Sequence, residues 1–265
     1  MIRVEFSSGW AGIFEQAGLR TLEDFFDYSD GQIINRNKKR EVVAMTLGGS
    51  DGNYEFFMKR FFKPHFKDML FTVRNFGRMC SQATCEWNNA GALLKAGVGT
   101  YIPICRGEET TLGLEKRSFF ITEKIKGQCF TDFVRLRWDR LAQSEKEAVI
   151  VSLAQVIRRV HEAGISLPDL YVWHVFITEK EDGGCDFAII DLHRMKINVT
   201  SRAERIRNLG AFYFSMSAKY FDDDIKHTFL DAYLGPGRLN EKDVFLRGVE
   251  HRCAVLERRR RRLDY

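Results

Sequence analysis

Prolines are scarce, with four in 265 residues, and no apolar run approaches the roughly 18 residues that a membrane-spanning helix needs. The amino-terminal stretch Met1-Ile-Arg-Val-Glu-Phe-Ser-Ser has no basic region followed by an apolar segment, so no secretory signal is expected. The six cysteines (Cys80, Cys85, Cys105, Cys129, Cys185, Cys253) form no CxxC pair, which argues against a zinc site. Without an export signal they read as reduced thiols of a cytoplasmic protein. There is no internal repeat, and no low-complexity tract outside the carboxyl end.

What is present is an ordinary globular balance, 45% hydrophobic and 29% charged, in a chain long enough for one large domain or two small lobes. The net charge of +5 is concentrated in Arg36-Asn-Lys-Lys-Arg40 and in the five consecutive arginines Arg258 to Arg262. Such patches attract phosphate, nucleic acid or an anionic membrane, and charge alone does not choose among them.

The first half carries short β-like segments at Gln32–Asn35, Val42–Leu47, Tyr54–Arg60, Tyr101–Arg106 and Arg117–Glu123, with a helix near Met79–Lys95 ended by Gly97. Gly48-Gly-Ser-Asp-Gly52 supplies turn chemistry between two of them. Residues 1–30 are mixed, with amphipathic hints around Ala11–Phe26. The second half is helical. Ser144-Glu-Lys-Glu147 has capping-box spacing, Val149, Leu153, Val156, Ile157 and Val160 share one helical face, and Gly164 stands at the expected C-cap. Two short strands, Val175–Thr178 and Asp186–Ile190, flank the turn Glu181-Asp-Gly-Gly184. Helices follow at Arg202–Lys219, Asp223–Tyr233 and Asn240–Arg261. The expected organisation is an extension (1–31), a small antiparallel β lobe (32–124) and a mainly helical lobe with a basic tail (125–265), an α+β, bilobal, protein-kinase-like fold.

Phosphoryl transfer needs a carboxylate near the attacking hydroxyl, ligands for the metal on the phosphates, and a cation on the phosphates. Asp169 is followed five positions later by His174, and Asp191 ends the apolar strand Phe187-Ala-Ile-Ile190. Each has a bland reading: Asp169 opens a turn after Pro168, His174 is a satisfied core histidine, Asp191 is a cap. Their succession directly after a long amphipathic helix favours the chemical reading over three coincidences. Lys59 near the end of an apolar strand is where kinases place the lysine on the α- and β-phosphates, and Glu86 follows at the right order to pair with it. A solvated strand-end lysine and a solvent-facing glutamate are the alternatives.

Asp169-Leu-Tyr171-Val-Trp-His174 and Ile190-Asp-Leu-His-Arg194 resemble the catalytic loop, D-x-Y-x-x-H, and the metal segment, I-D-L-H-R, of the lipopolysaccharide core kinases, the Kdo kinases and heptose(I) kinases of Gram-negative bacteria. Arg207 to Ser215, Cys85-Glu-Trp87 and Leu93 to Gly99 are similar as well, so the resemblance runs from about Gln32 to Gly235. It implies Asp169 as catalytic base or orienter of the sugar hydroxyl, His174 and Asp191 as metal-site residues, Lys59 on the ATP phosphates with Glu86 positioning it, and backbone groups from Glu123 to Ile125 for adenine. It implies ATP and Mg²⁺ as cofactors, a lipopolysaccharide core or glycolipid acceptor, and no nucleic-acid partner.

Three departures accompany it. Leu167-Pro168 stands where many members have His-Arg. Asn208 stands where an Asp often braces the catalytic loop. The glycine-rich phosphate loop is absent, with Asn35-Arg-Asn-Lys-Lys-Arg40 in its place. A kinase with a protein or small-molecule acceptor and a kinase-fold binding protein without catalysis are the rival expectations; no Ala-Pro-Glu ending marks a conventional protein kinase. The arginine run reads as a solvated helix end or as an attachment to the anionic inner leaflet.

Overall fold

A computed structural model describes residues 1–49, 52–62, 66–259 and 265 of the chain. Backbone contacts divide it into two units, Met1–Ala92 with Tyr101–Ile125, and Leu93–Thr100 with Lys126–Tyr265.

The first unit contains β1 (Ile2–Phe6), α1 (Ala11–Gln16), α2 (Leu22–Asp27), β2 (Gln32–Arg36), β3 (Arg40–Gly49), β4 (Gly52–Phe61), α3 (Phe66–Phe76), most of α4 (Gln82–Lys95), β5 (Pro103–Thr111) and β6 (Leu114–Glu123). Its six strands form one antiparallel sheet in the order β1-β5-β6-β4-β3-β2. The stretch 1–31 supplies an edge strand and two helices to this unit.

Strand alternation gives the sheet two distinct faces. On one, Val43, Met45, Phe56, Met58, Phe119 and Ile121 are buried against Phe14, Leu22 and Phe25 of α1 and α2. Two charged residues share that face. Arg60 is paired with the buried Glu41 at 2.7 Å, and its remaining donors reach the carbonyls of Phe25 and Tyr28. Arg36 lies 3.3 Å from the other Glu41 oxygen. The guanidinium thus ties the α2 region to the sheet. On the opposite face, the strand register aligns Glu5, Arg106, Phe120, Lys59, Val42 and Asn35 in one row. Helix α4 touches this row, with Trp87 edge-on to Phe120 and under the Arg106 guanidinium.

The second unit holds β7 (Gln128–Cys129), α5 (Phe130–Arg137), α6 (Gln143–Glu162), β8 (Val175–Glu179), β9 (Cys185–Ile189), α7 (Arg202–Ser215), α8 (Asp223–Leu234) and α9 (Lys242–Glu257). Helix α6 begins earlier than the Ser144 capping box predicts. Its N-cap is Ala142, whose N–H donates to the Glu145 carboxylate at 2.7 Å, so Glu145 rather than Glu147 serves the helix start. Gly164, at φ +71°, ends the helix as expected, and the Ile165 N–H returns to the Val160 carbonyl at 3.1 Å. The hairpin β8–β9 pairs Val175 with Ile189. Beside it, Gly99 lies so close to β9 that a Cβ there would meet the Phe187 carbonyl oxygen at 2.4 Å. No helix among the described residues is long and apolar enough to cross a membrane. Of the arginine run, Arg260 to Arg262 lie outside the described residues.

The buried Arg60–Glu41 pair yields a stability prediction. Arg60→Met leaves Glu41 buried without its main partner, and urea unfolding should show a loss of about 3 kcal/mol. Replacing both residues with apolar side chains should recover most of that loss.

Candidate active site

In the first unit, Lys59 projects from β4 on the α4 side of the sheet. Its Nζ lies 2.6 Å from Glu86 Oε2, and the Tyr101 hydroxyl donates to the same oxygen at 3.0 Å. The ammonium also sits 5.5 Å from the Tyr101 ring centroid. Glu86 is fully buried and Lys59 is about one-fifth exposed, so the lysine head is held by the glutamate yet open to solvent on one side. Glu86 Oε1 is buried without a hydrogen-bond partner among the described residues. Further along the same face of β4, a recess of about 450 Å³ is lined by Gln32, Ile34, Ala44, Thr46, Glu55, Phe57 and Lys124. Glu123 and Ile125 close this unit, and the Glu123 N–H is already used by the Ile102 carbonyl at 3.1 Å.

The basic cluster forms the β2–β3 turn. Asn37 Oδ1 accepts the N–H groups of Lys39 and Arg40 at 2.9 and 3.0 Å. Arg36 serves Glu41, whereas Lys38 and Lys39 are exposed at the tip.

In the second unit, the hairpin register places His174 opposite Ile190, and the Ile190 N–H donates to the His174 carbonyl at 2.9 Å. Asp191 follows at φ +63°. This left-handed conformation, tolerated by Asp, turns the chain back toward His174. His174 Nδ1 lies 2.8 Å from the Asp169 carbonyl oxygen; the oxygen only accepts, so Nδ1 carries the proton. In the neutral ring Nε2 therefore presents a lone pair, 3.6 Å from Asp191 Oδ2. The other Asp191 oxygen is 2.7 Å from His193 Nδ1. The Asp169 carboxylate receives Arg194 Nη1 at 3.0 and 3.3 Å.

The nitrogen lone pair and the carboxylate oxygen, 3.6 Å apart, suit a cation near both. Among the described residues no group of three His, Cys, Asp or Glu side chains is placed to hold a metal ion. The Asp191 carboxylate is an oxygen donor of the kind magnesium takes, one or two carboxylates sufficing when water and phosphate oxygens complete the shell.

The loop carrying Asp169 hangs from α7. Asn208 is fully buried. Its Oδ1 accepts the Leu167 N–H at 2.7 Å, and that donor fixes the amide orientation. His161 Nε2, 3.1 Å from the same oxygen, must then donate, so Nδ1 accepts from the Tyr233 hydroxyl at 2.9 Å. Ser215 adds a second hold, its Oγ accepting the Val172 N–H at 2.9 Å. Burial pushes the His161 pKa down to about 4, and the chain of bonds is neutral throughout.

The structure therefore joins Lys59 with Glu86, and His174 with Asp191 and the Asp169 backbone. Sequence reasoning passed over Arg194, His193, His161 and Tyr233. Arg194 and His193 stood inside a quoted motif, and their neighbours Asp169 and Asp191 were the available signal. His161 and Tyr233 carry no signal, since both occupy ordinary positions on helices.

A model of the Kdo/WaaP lipopolysaccharide kinase family matches residues 28–233. The chain belongs to this family. It is 29% identical over 136 residues to the lipopolysaccharide core heptose(I) kinase WaaP of Pseudomonas aeruginosa, a match covering 49% of this chain and only 51% of that protein. It is 26% identical over 214 residues to the protein of the same name from Escherichia coli K12, covering 78% of each. A solved structure of WaaP in complex with acyl carrier protein is similar at a TM-score of 0.70 and 21% identity, covering 96% of this chain and 99% of that one. The fold is thus the kinase-like α+β fold.

The buried ring of His161 makes stability depend on pH with a defined sign. Its pKa in the folded chain is depressed, so in acid the unfolded chain takes up a proton that the folded chain refuses. Stability from this source is complete above the ordinary histidine pKa and is lost as pH falls toward about 4. Urea unfolding should show His161→Gln losing about 2 kcal/mol less than wild type between about pH 7 and about pH 5.

Proposed function

We propose that the protein is an ATP-dependent kinase that transfers the γ-phosphate of ATP to a hydroxyl of a lipopolysaccharide inner-core sugar, heptose or Kdo, or of a related glycolipid. Family membership supports the reaction class, and the names of the curated relatives support the acceptor. The observation that carries the reading is the convergence on one hairpin of His174 Nε2 and the Asp191 carboxylate, bonded through Nδ1 to the residue that bears the Asp169 carboxylate.

In this reading Asp169 orients the sugar hydroxyl and takes its proton as the oxygen attacks phosphorus. Arg194 fixes the carboxylate's orientation and, being half-exposed, offers positive charge to the phosphoryl oxygens. His174 and Asp191 hold Mg²⁺, which when bound neutralises charge on the phosphates. Lys59 grips the α- and β-phosphates, with Glu86 and Tyr101 setting its position. The Glu123 carbonyl and the Ile125 N–H serve the adenine, because the Glu123 N–H is spent within the sheet. The recess beside Phe57 receives the base. Lys38 and Lys39 stand in for a glycine-rich loop as a cationic cover.

A lipid-borne acceptor places the enzyme at the cytoplasmic face of the inner membrane. The relative solved with acyl carrier protein makes such a carrier a candidate partner, testable by co-purification.

Asp169→Ala should lower turnover on core acceptors by about 10³-fold while nucleotide affinity stays within about twofold of wild type. Phosphotransfer with labelled ATP and equilibrium nucleotide binding measure the two. Nucleotide binding without turnover in wild type, across sugar and lipid acceptors, would instead indicate a binding protein.

A further inference from the structure

Helix α3 buries two polar residues and exposes two apolar ones. A surface helix ordinarily buries its apolar stripe and exposes its polar one. Here the buried positions are Met69, Thr72 and Asn75, at 3%, 0% and 7% exposure, while Leu70 and Val73 are 48% and 41% exposed and Met79, just past the helix, is 38% exposed. The buried polar group has its own work. Thr72 Oγ1 donates to the Met69 carbonyl at 2.6 Å and accepts the Cys80 N–H at 2.9 Å, closing the turn after the helix. Folding therefore explains the inner face and leaves the outer one without a reason.

The charge on that outer face is uncompensated. Arg74 and Arg78 are exposed beside the apolar residues, and neither forms an ion pair among the described residues. Several other basic side chains in this unit are matched, Arg3 and Arg106 by Glu5, Lys116 and Arg117 by Glu109, Lys124 by Glu55, while Lys38 and Lys39 at the β2–β3 turn are exposed like Arg74 and Arg78. Three apolar side chains flanked by two free cations make too small a surface for a specific protein interface, which buries about 800 Å² per partner. A bilayer sets no such minimum. Its acyl region takes apolar side chains, and its anionic headgroups take arginine.

We propose that α3 is a membrane-docking helix, lying in the plane of an anionic bilayer with Leu70, Val73 and Met79 in the acyl boundary and Arg74 and Arg78 on the lipid phosphates. This assignment stands whether or not the acceptor is a core sugar. It places the contact on α3 rather than on the arginine run at the carboxyl end.

Sedimentation of the full-length protein with phosphatidylcholine vesicles, with and without phosphatidylglycerol, tests it. Wild type should pellet with the anionic vesicles only. Leu70→Ser/Val73→Ser and Arg74→Ser/Arg78→Ser should each weaken that binding about tenfold, with unchanged melting temperature and nucleotide binding. In Val73→Trp, brominated anionic lipid should quench fluorescence beyond the wild-type level, a readout that does not require removing the surface. Failure of wild type to pellet overturns the proposal. So do α3 variants that pellet like wild type, binding lost only on replacing Arg258–Arg262, or a self-association of wild type that the Leu70/Val73 variant abolishes.

Discussion

The carboxamide of Asn208 is the joint from which the Asp169 loop hangs. One oxygen, buried within α7, accepts from the Leu167 backbone and from His161, and His161 is in turn held by Tyr233 of α8. Two helices and the loop thus meet at a single acceptor, and α8 joins them through the other nitrogen of the His161 ring. A carboxylate there would carry the cost of burying a charge. The amide avoids it, at the smaller cost of leaving its Nδ2 without a partner. Neutrality suits the neighbourhood, because a buried imidazole with a depressed pKa offers no positive charge to a carboxylate. Asn208 therefore braces the loop with a neutral amide. Arg194 reaches the Asp169 carboxylate from the segment after Asp191.

Adjacent basic residues on β4 show how the pleat separates structure from chemistry. Arg60 faces the apolar core and is consumed by Glu41 and two backbone carbonyls. Lys59, one residue earlier, faces α4, pairs with Glu86 and keeps part of its head in solvent. A shift of register by one residue would exchange these roles and ruin both. The buried row of Val43, Met45, Phe56 and Met58 prevents the shift, so the stability of the core is also what fixes the direction of Lys59.

Much of this was legible in the sequence where periodicity or spacing carried it. The strands around Lys59, the α6 stripe and the Gly164 stop fell where predicted, and His174 stands 3.6 Å from Asp191 with its ring bonded to the Asp169 backbone carbonyl. Capping chemistry misled at Ser144, because an N3 glutamate can cap a helix whose N-cap residue is alanine. Helix α3 was not expected, although Phe66, Met69, Leu70 and Val73 stand at helical spacing in the sequence. The His161–Tyr233 link joins residues far apart in sequence, and no local rule connects them.

The central claim is a phosphate placed on a core sugar, and mass spectrometry of core oligosaccharide tests it most directly. Cells carrying the wild-type protein should yield core oligosaccharide with an added phosphate on heptose or Kdo, absent from cells that lack the protein or carry Asp169→Ala. Identical phosphate content in all three would contradict the account.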